Sequence, residues 1–211
     1  MIVECFVVGP FQENTWLLGD EPGGHAIVID PGGENARVLE RVAAHGLTVD
    51  AIVNTHAHID HIAGVGELVE TLGVPFRLHA DDHFLVDHAD EACAMFGLPP
   101  IRPVPLTAPP LTDGEHLRVG ELDLTVIHTP GHSPGGCSLR VGGHLFAGDT
   151  LFAGSIGRTD LPGGDYDTLI HSIVSRLLEP LPSRTIVHSG HGPDTTLAEE
   201  AATNPFLRSH R

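Results

Sequence analysis

Lysine is absent from the 211 residues; all eleven basic residues are Arg. Schiff-base chemistry and a phosphate-binding loop that uses Lys therefore have no candidate residue. Acidic residues outnumber basic ones 28 to 11, a formal net charge of −17. That balance offers no basic surface for sequence-independent nucleic-acid binding and none for anionic membranes. Cysteine is scarce: Cys5, Cys93 and Cys137 are odd in number and widely spaced, which argues against a disulfide framework and against a thiolate zinc cluster. No apolar run approaches ~20 residues, and residues 2–8 have no basic flank, so they read as a strand rather than a signal peptide. The expectation is a cytoplasmic protein with neither membrane nor nucleic acid as partner.

What is present suffices for a core, since 41% of residues are hydrophobic and 18% charged. Val/Ile-rich runs bounded by Gly and Pro predict strands at 2–8, 15–18, 26–29, 51–54, 76–79, 116–119, 122–128, 137–141, 144–146 and 185–188. Helical periodicity predicts helices over 34–45 and 62–72, stopped by Gly46 and Gly73, and over 81–96, 167–178 and 195–203. A link rich in proline (Pro99, Pro100, Pro103, Pro105, Pro109, Pro110) separates two similar halves. We expect them to pack sheet on sheet with helices outside, as one domain spanning 1–211.

The strongest chemical signal is Thr55, His56, Ala57, His58, Ile59, Asp60, His61, placed between a strand and a helix. Side chains alternate along extended backbone, so His56 and His58 point to one side, while Asp60 and His61 lie where the chain turns into the helix. An exposed His-rich loop with Asp60 as a helix cap is the bland alternative. Three further residues share one context, a strand end followed by a Gly-rich turn: His132 in 129–135, Asp149 after Gly148, and His191 in 189–193. That is how a site at one edge of a sheet is built.

On these residues the sequence resembles the metallo-β-lactamase superfamily, whose His-x-His-x-Asp-His is matched by His56, His58, Asp60 and His61. Segment 147–164, with Gly148, Asp149, Thr150, Leu151 and Phe152 and then Gly157, Arg158, Thr159 and Asp160, resembles the short, single-domain form of the glyoxalase II-like (hydroxyacylglutathione hydrolase-like) branch. The likeness runs from Asn14 and Thr15 through Ile29, Asp30, Pro31 and Gly32 to Asn204, Pro205 and Phe206. It implies a four-layer αββα sandwich with two divalent metal ions. By that carry-over His56, His58 and His132 hold the first ion, Asp60, His61 and His191 the second, and Asp149 bridges both.

The implied activity is hydrolysis of a small acyl thioester. A bridging hydroxide attacks the carbonyl and thiolate leaves, with Asp60 and Asp149 as the catalytic carboxylates and Arg158 as the substrate-binding residue. Five imidazoles and two carboxylates without a thiolate suit Zn, and also Fe or Mn. Two divalent ions less two carboxylates and one hydroxide leave a charge of about +1, which suits an anionic substrate. Asp149 stands where true β-lactamases commonly place Cys, which argues against penicillin cleavage. In the branch's longer form a Lys takes the place of Arg158, a Tyr stands at the position of Asp160, and a C-terminal helical segment grips glutathione. This chain, ending at Arg211, is expected to lack that segment, so the thiol carrier stays open.

Other reactions remain in view. Persulfide dioxygenases of the superfamily share Gly-Arg-Thr-Asp and use one Fe(II), held here by His56, His132 and Asp149. A lactonase or other ester hydrolase is a nearer neighbour. A non-catalytic metal module is disfavoured, because a structural ion prefers a closed four-ligand site. His79 and His188 read as hydrogen-bonded structural residues, Tyr166 as a helix-start residue, and Asp30 as fixing a turn near the site without being a ligand.

Overall fold

Alternate side chains of the first strands enter two different cores, and this sets the layering. In the computed structural model, which describes residues 1–210, β1 (Ile2–Val8), β2 (Glu13–Gly19), β3 (His25–Ile29), β4 (Thr48–Val53) and β5 (Phe76–Arg77) form a sheet in that order. The first three strands are antiparallel; β3, β4 and β5 run parallel. Leu17, Val28 and Ile52 face an outer core shared with α1 (Asn35–His45) and the helices α2 (Ile59–Ile62) and α3 (Val65–Leu72). Trp16, Leu18, Ile27, Ile29 and Val53 face the opposite way. The period of two along each strand thus yields two buried faces.

The second sheet meets that inner face. It contains β6 (His116–Val119), β7 (Leu122–His128), β8 (Cys137–Val141) and β9 (His144–Gly148). After a small hairpin of β10 (Leu151–Phe152) and β11 (Ser155–Ile156) come β12 (Ile186–Ser189) and β13 (Thr195–Thr196), giving the order β13-β12-β9-β8-β7-β6. Leu124, Val126, Leu139 and Phe146 pack between the sheets against Trp16, Ile27 and Ile29. Each such fully buried side chain stabilises by about 1.5–3 kcal/mol. The outer face buries Leu145, Ala147 and Val187 against α6 (Tyr166–Ser172), its continuation Ile173–Leu178, and α7 (Leu197–Thr203). The layers run helix, sheet, sheet, helix, as expected from the sequence. Among the described residues no helix is long and apolar enough to cross a membrane.

Two predicted helices are broken. The 62–72 helix splits at Ala63 and Gly64, where the chain crosses closely over its neighbours. A Cβ on Gly64 would lie 2.6 Å from Asn35 Oδ1 and 2.7 Å from the Pro31 carbonyl. The 81–96 helix is a 3-10 turn (Ala80–Asp82) followed by α4 (His83–Asp87) and α5 (Ala89–Met95), interrupted at His88, whose ring contacts the Phe84 carbonyl. Gly46 and Gly73 end their helices as expected, with φ of 66° and 68°.

Helix α1 is fastened to the sheet edge by charge. Arg41 donates two hydrogen bonds of 2.7 Å to Glu4 on β1, and His45 lies 2.6 Å from the same carboxylate. The Arg41 guanidinium, aided by His45, lowers the Glu4 carboxyl from 4.5 to about 2 despite partial burial. A depressed acid stabilises the fold above its unfolded value and loses that contribution as pH falls. Stability should therefore decline as pH drops from 4.5 to about 2. Glu4→Gln should cost about 1 kcal/mol at neutral pH, allowing for solvent screening, and flatten this acid limb in urea titrations; an unchanged limb would contradict it.

Candidate metal centre

The C-terminal ends of β4, β7, β9 and β12 open at one edge of the sandwich, and the seven donors expected from the sequence are all there. The ends are tied across the two sheets. The Cys137 amide donates to the Thr55 carbonyl, the Asn14 amide to the Gly190 carbonyl, and Asn14 Nδ2 to the Ser189 and Gly192 carbonyls. Buried Asn54 reaches across the first loop to the carbonyls of His56 and His61. Loops that would otherwise move independently are thus held to the strands that carry them.

Two groups of ligand atoms result. In the first, His132 Nε2 lies 2.8 Å from His58 Nδ1 and 3.2 Å from His56 Nε2. Asp60, His61 and His191 form the second, with ligand atoms all within 4.8 Å of one another; His191 Nε2 is 3.3 Å from Asp60 Oδ2. Asp149 stands between the groups. Its Oδ1 is 3.4 Å from His61 Nε2, and its Oδ2 is 3.4 Å from His132 Nε2 and 3.6 Å from His191 Nε2.

Outer partners fix which ring nitrogen faces inward. His132 Nδ1 donates to the Arg158 carbonyl at 2.7 Å, and His191 Nδ1 to the Phe11 carbonyl at 3.1 Å. His61 Nδ1 donates to Asp30 Oδ2 at 3.1 Å. The Thr55 hydroxyl donates to Asp30 and so accepts from His56 Nδ1 at 3.1 Å. Four imidazoles therefore spend their N–H outward and turn an Nε2 lone pair inward, as metal-holding histidines do. His58 Nε2, His61 Nε2 and Asp149 Oδ1 are buried without a hydrogen-bond partner. Lone pairs this close repel one another unless a cation or proton lies among them, so this donor set fits divalent metal ions.

Electrostatics divide the centre: against burial, Asp149 and Asp60 raise the His61 and His191 imidazoles above their ordinary value. Burial, reinforced by His61 and His132, pushes the His56 imidazole well below its ordinary value, which favours the neutral, lone-pair form. Burial would raise the Asp149 carboxyl, but His61 and the other imidazoles hold it below the carboxylate range. Backbone room is also tight. A Cβ on Gly190 would sit 2.2 Å from Asp149 Oδ1 and 2.7 Å from His61 Cε1.

Arg158 is placed differently from the donors. Its carbonyl supports His132, while its guanidinium is exposed and donates twice at 2.7 Å to Asp160. Asp30 lies beneath the centre, as expected, with φ 50° and bonds from the Thr55 amide, the Thr55 hydroxyl and His61. His188 is buried against Trp16 and Phe146, and His79 stacks on His128.

Two acidic residues were not anticipated. Fully buried Asp82 accepts from the Ala57 amide (3.0 Å), the Ser133 hydroxyl (2.8 Å) and the Gly135 amide (2.6 Å). It thereby joins the loop between His56 and His58 to the loop after His132. Buried Glu13 lies 3.7 Å from His61, and burial raises its carboxyl well above the usual range. No motif in the sequence singles out either.

A family model described as the metallo-beta-lactamase superfamily matches residues 8–191. The chain belongs to that superfamily. Its members bind divalent metals and include metallo-hydrolases, and this chain carries His/Asp clusters that could hold such ions. The chain is 38% identical to hydroxyacylglutathione hydrolase GloC of Haemophilus influenzae, covering 99% of each. Among solved structures, TTHA1623 in a di-iron-bound form shares 45% identity at a TM-score of 0.87, over 97% of this chain and 100% of that one. The BLEG-1 B3 metallo-beta-lactamase shares 41% identity at 0.89, over 98% and 100%.

Proposed function

We propose that this superfamily member hydrolyses small acyl thioesters of the hydroxyacylglutathione type. The observation that carries the reading is the inward convergence of the outward-tethered imidazoles of His61, His132 and His191 on Asp149, with His56 directed at His132 beside them. His56, His58 and His132 would hold one divalent ion and Asp60, His61 and His191 the other, with Asp149 shared between them. Bound there, such ions make a water molecule acidic enough to act as hydroxide at neutral pH and polarise a carbonyl oxygen. Zn, Fe and Mn all suit the donors, and the di-iron relative supports testing iron beside zinc. Both sheets contribute donors, so the proposed working unit is one domain, 1–211.

The chain's own residues do the positioning. Asp60 and Asp149 supply the negative charge that offsets the cations, and the outer acceptors at Asp30, Thr55 and the Phe11 and Arg158 carbonyls lock the rings. In the reaction water adds its oxygen to the acyl carbon, the C–S bond breaks, and thiol and carboxylic acid are released. Thiolate is a competent leaving group, so no dedicated acid is required. Arg158, already paired with Asp160, would meet the anionic carrier at the His132 side.

The test is a panel of S-lactoylglutathione, other acyl thioesters, an ester, a β-lactam and a persulfide, run before and after chelation. Metal-dependent thioester turnover is expected to exceed the rest, with chelation removing at least 99% of it by order of magnitude. No metal-dependent thioester turnover would overturn the reading. Faster β-lactam cleavage, or oxygen uptake with the persulfide, would replace it by the corresponding alternative.

A further inference from the structure

Beside Asp60 a cavity of about 370 Å³ opens between the β1–β2 turn, α2 and the proline-rich link. That volume lies within the ~300–1,000 Å³ range of small-molecule sites. Phe11, Ile59, Ala63, Leu98, Pro100 and Ile101 are among its walls. Two lining residues carry charge, Asp60 and Arg102. Asp60 is already directed at His191, and the exposed Arg102 is neutralised by Glu70 at 2.5 Å. Apart from the Cys93 thiol, the remaining side chains of the wall are apolar.

Exposed aromatic rings mark the same place. Phe11, 38% exposed, meets Phe96, 47% exposed, edge to face at 5.4 Å. Unsatisfied apolar surface gathered around a concave opening is the usual mark of a ligand site rather than of a random surface. The Arg158 segment lies on the other flank of the centre: its backbone carbonyl accepts from His132, in the other group of donors, and its exposed guanidinium pairs with Asp160.

We infer that this cavity is the acyl subsite, and that it selects an apolar acyl chain longer than lactoyl, while the polar thiol carrier lies on the Arg158 side. The inference rests on the thioester reading and replaces its hydroxyacyl group by an apolar acyl chain. Burying one methylene is worth about fourfold in affinity, and the same factor is expected in kcat/KM when the group stays buried through the reaction.

The experiment compares acetyl, butyryl, hexanoyl and octanoyl thioesters of a single thiol on the metal-loaded enzyme. kcat/KM should climb by roughly fourfold per methylene until the cavity is filled. Ile101→Trp and Leu98→Phe, which fill the cavity from the link, should each collapse the hexanoyl-to-acetyl ratio by about tenfold or more. In parallel, octanoate and acetate are titrated calorimetrically into chelated protein. Octanoate should bind at least tenfold more tightly, and Ile101→Trp should abolish the difference. Equal kcat/KM at all lengths, or a length dependence untouched by both variants, would overturn the inference. If no thioester is cleaved at all, the hydrolase reading fails while the octanoate titration still decides what the cavity binds.

Discussion

Asp149→Ala is expected to lower kcat/KM for the preferred thioester on the order of 10³-fold while the fold persists. The carboxylate lies within 3.4 Å of His61 and His132 and 3.6 Å of His191, so it belongs to both groups of donors. Removing it leaves two clusters of imidazoles with only Asp60 to offset the cations. The loss should appear as reduced metal content and reduced kcat together, not as a change in KM alone. Far-UV circular dichroism should be unchanged, because Asp149 follows β9 and carries none of the packing between the sheets. Activity within tenfold of the parent would contradict the bridging role.

Asp82→Ala should weaken the centre without touching a donor. Three bonds end on this carboxylate, two from backbone amides and one from Ser133, and all three donors would be left buried. Each orphaned group costs roughly 1–3 kcal/mol, so a loss of about 3 kcal/mol in urea unfolding of the metal-free protein is expected. The loops bearing His56, His58 and His132 lose their common anchor, and metal affinity should fall by about 10- to 100-fold, read by competition with a chromophoric chelator. Asp82→Asn keeps an acceptor oxygen and should lose less of both. Unchanged stability and affinity in the Ala variant would show that Asn54 and the strand ends suffice.

The contrast between Asp149 and Asp82 shows how far the sequence could be read. His56, His58, Asp60 and His61 lie within six positions, so alternation and the turn into a helix already place them together. His132, Asp149 and His191 each follow a strand and a glycine turn, a context legible without coordinates. Asp82 has no such mark, since its partners are 25, 51 and 53 residues away and two of them are backbone amides. The helix break at Gly64 was equally hidden, because it arises from the approach of Pro31 and Asn35. Two-residue strands such as β10, β11 and β13 are too short to show a period. The sandwich itself was legible from strand and helix runs that occur twice about the proline-rich link, whereas the division of Trp16, Leu17 and Leu18 between two cores emerges only on a strand buried along its whole length.

The central claim is that seven side chains jointly hold two divalent cations, and elemental analysis of protein purified without added metal tests it most directly. The expected result is about two equivalents of Zn, Fe or Mn per chain, falling in both Asp149→Ala and His61→Ala. A reconstituted sample that holds no transition metal, or whose metal content ignores both substitutions, would contradict it.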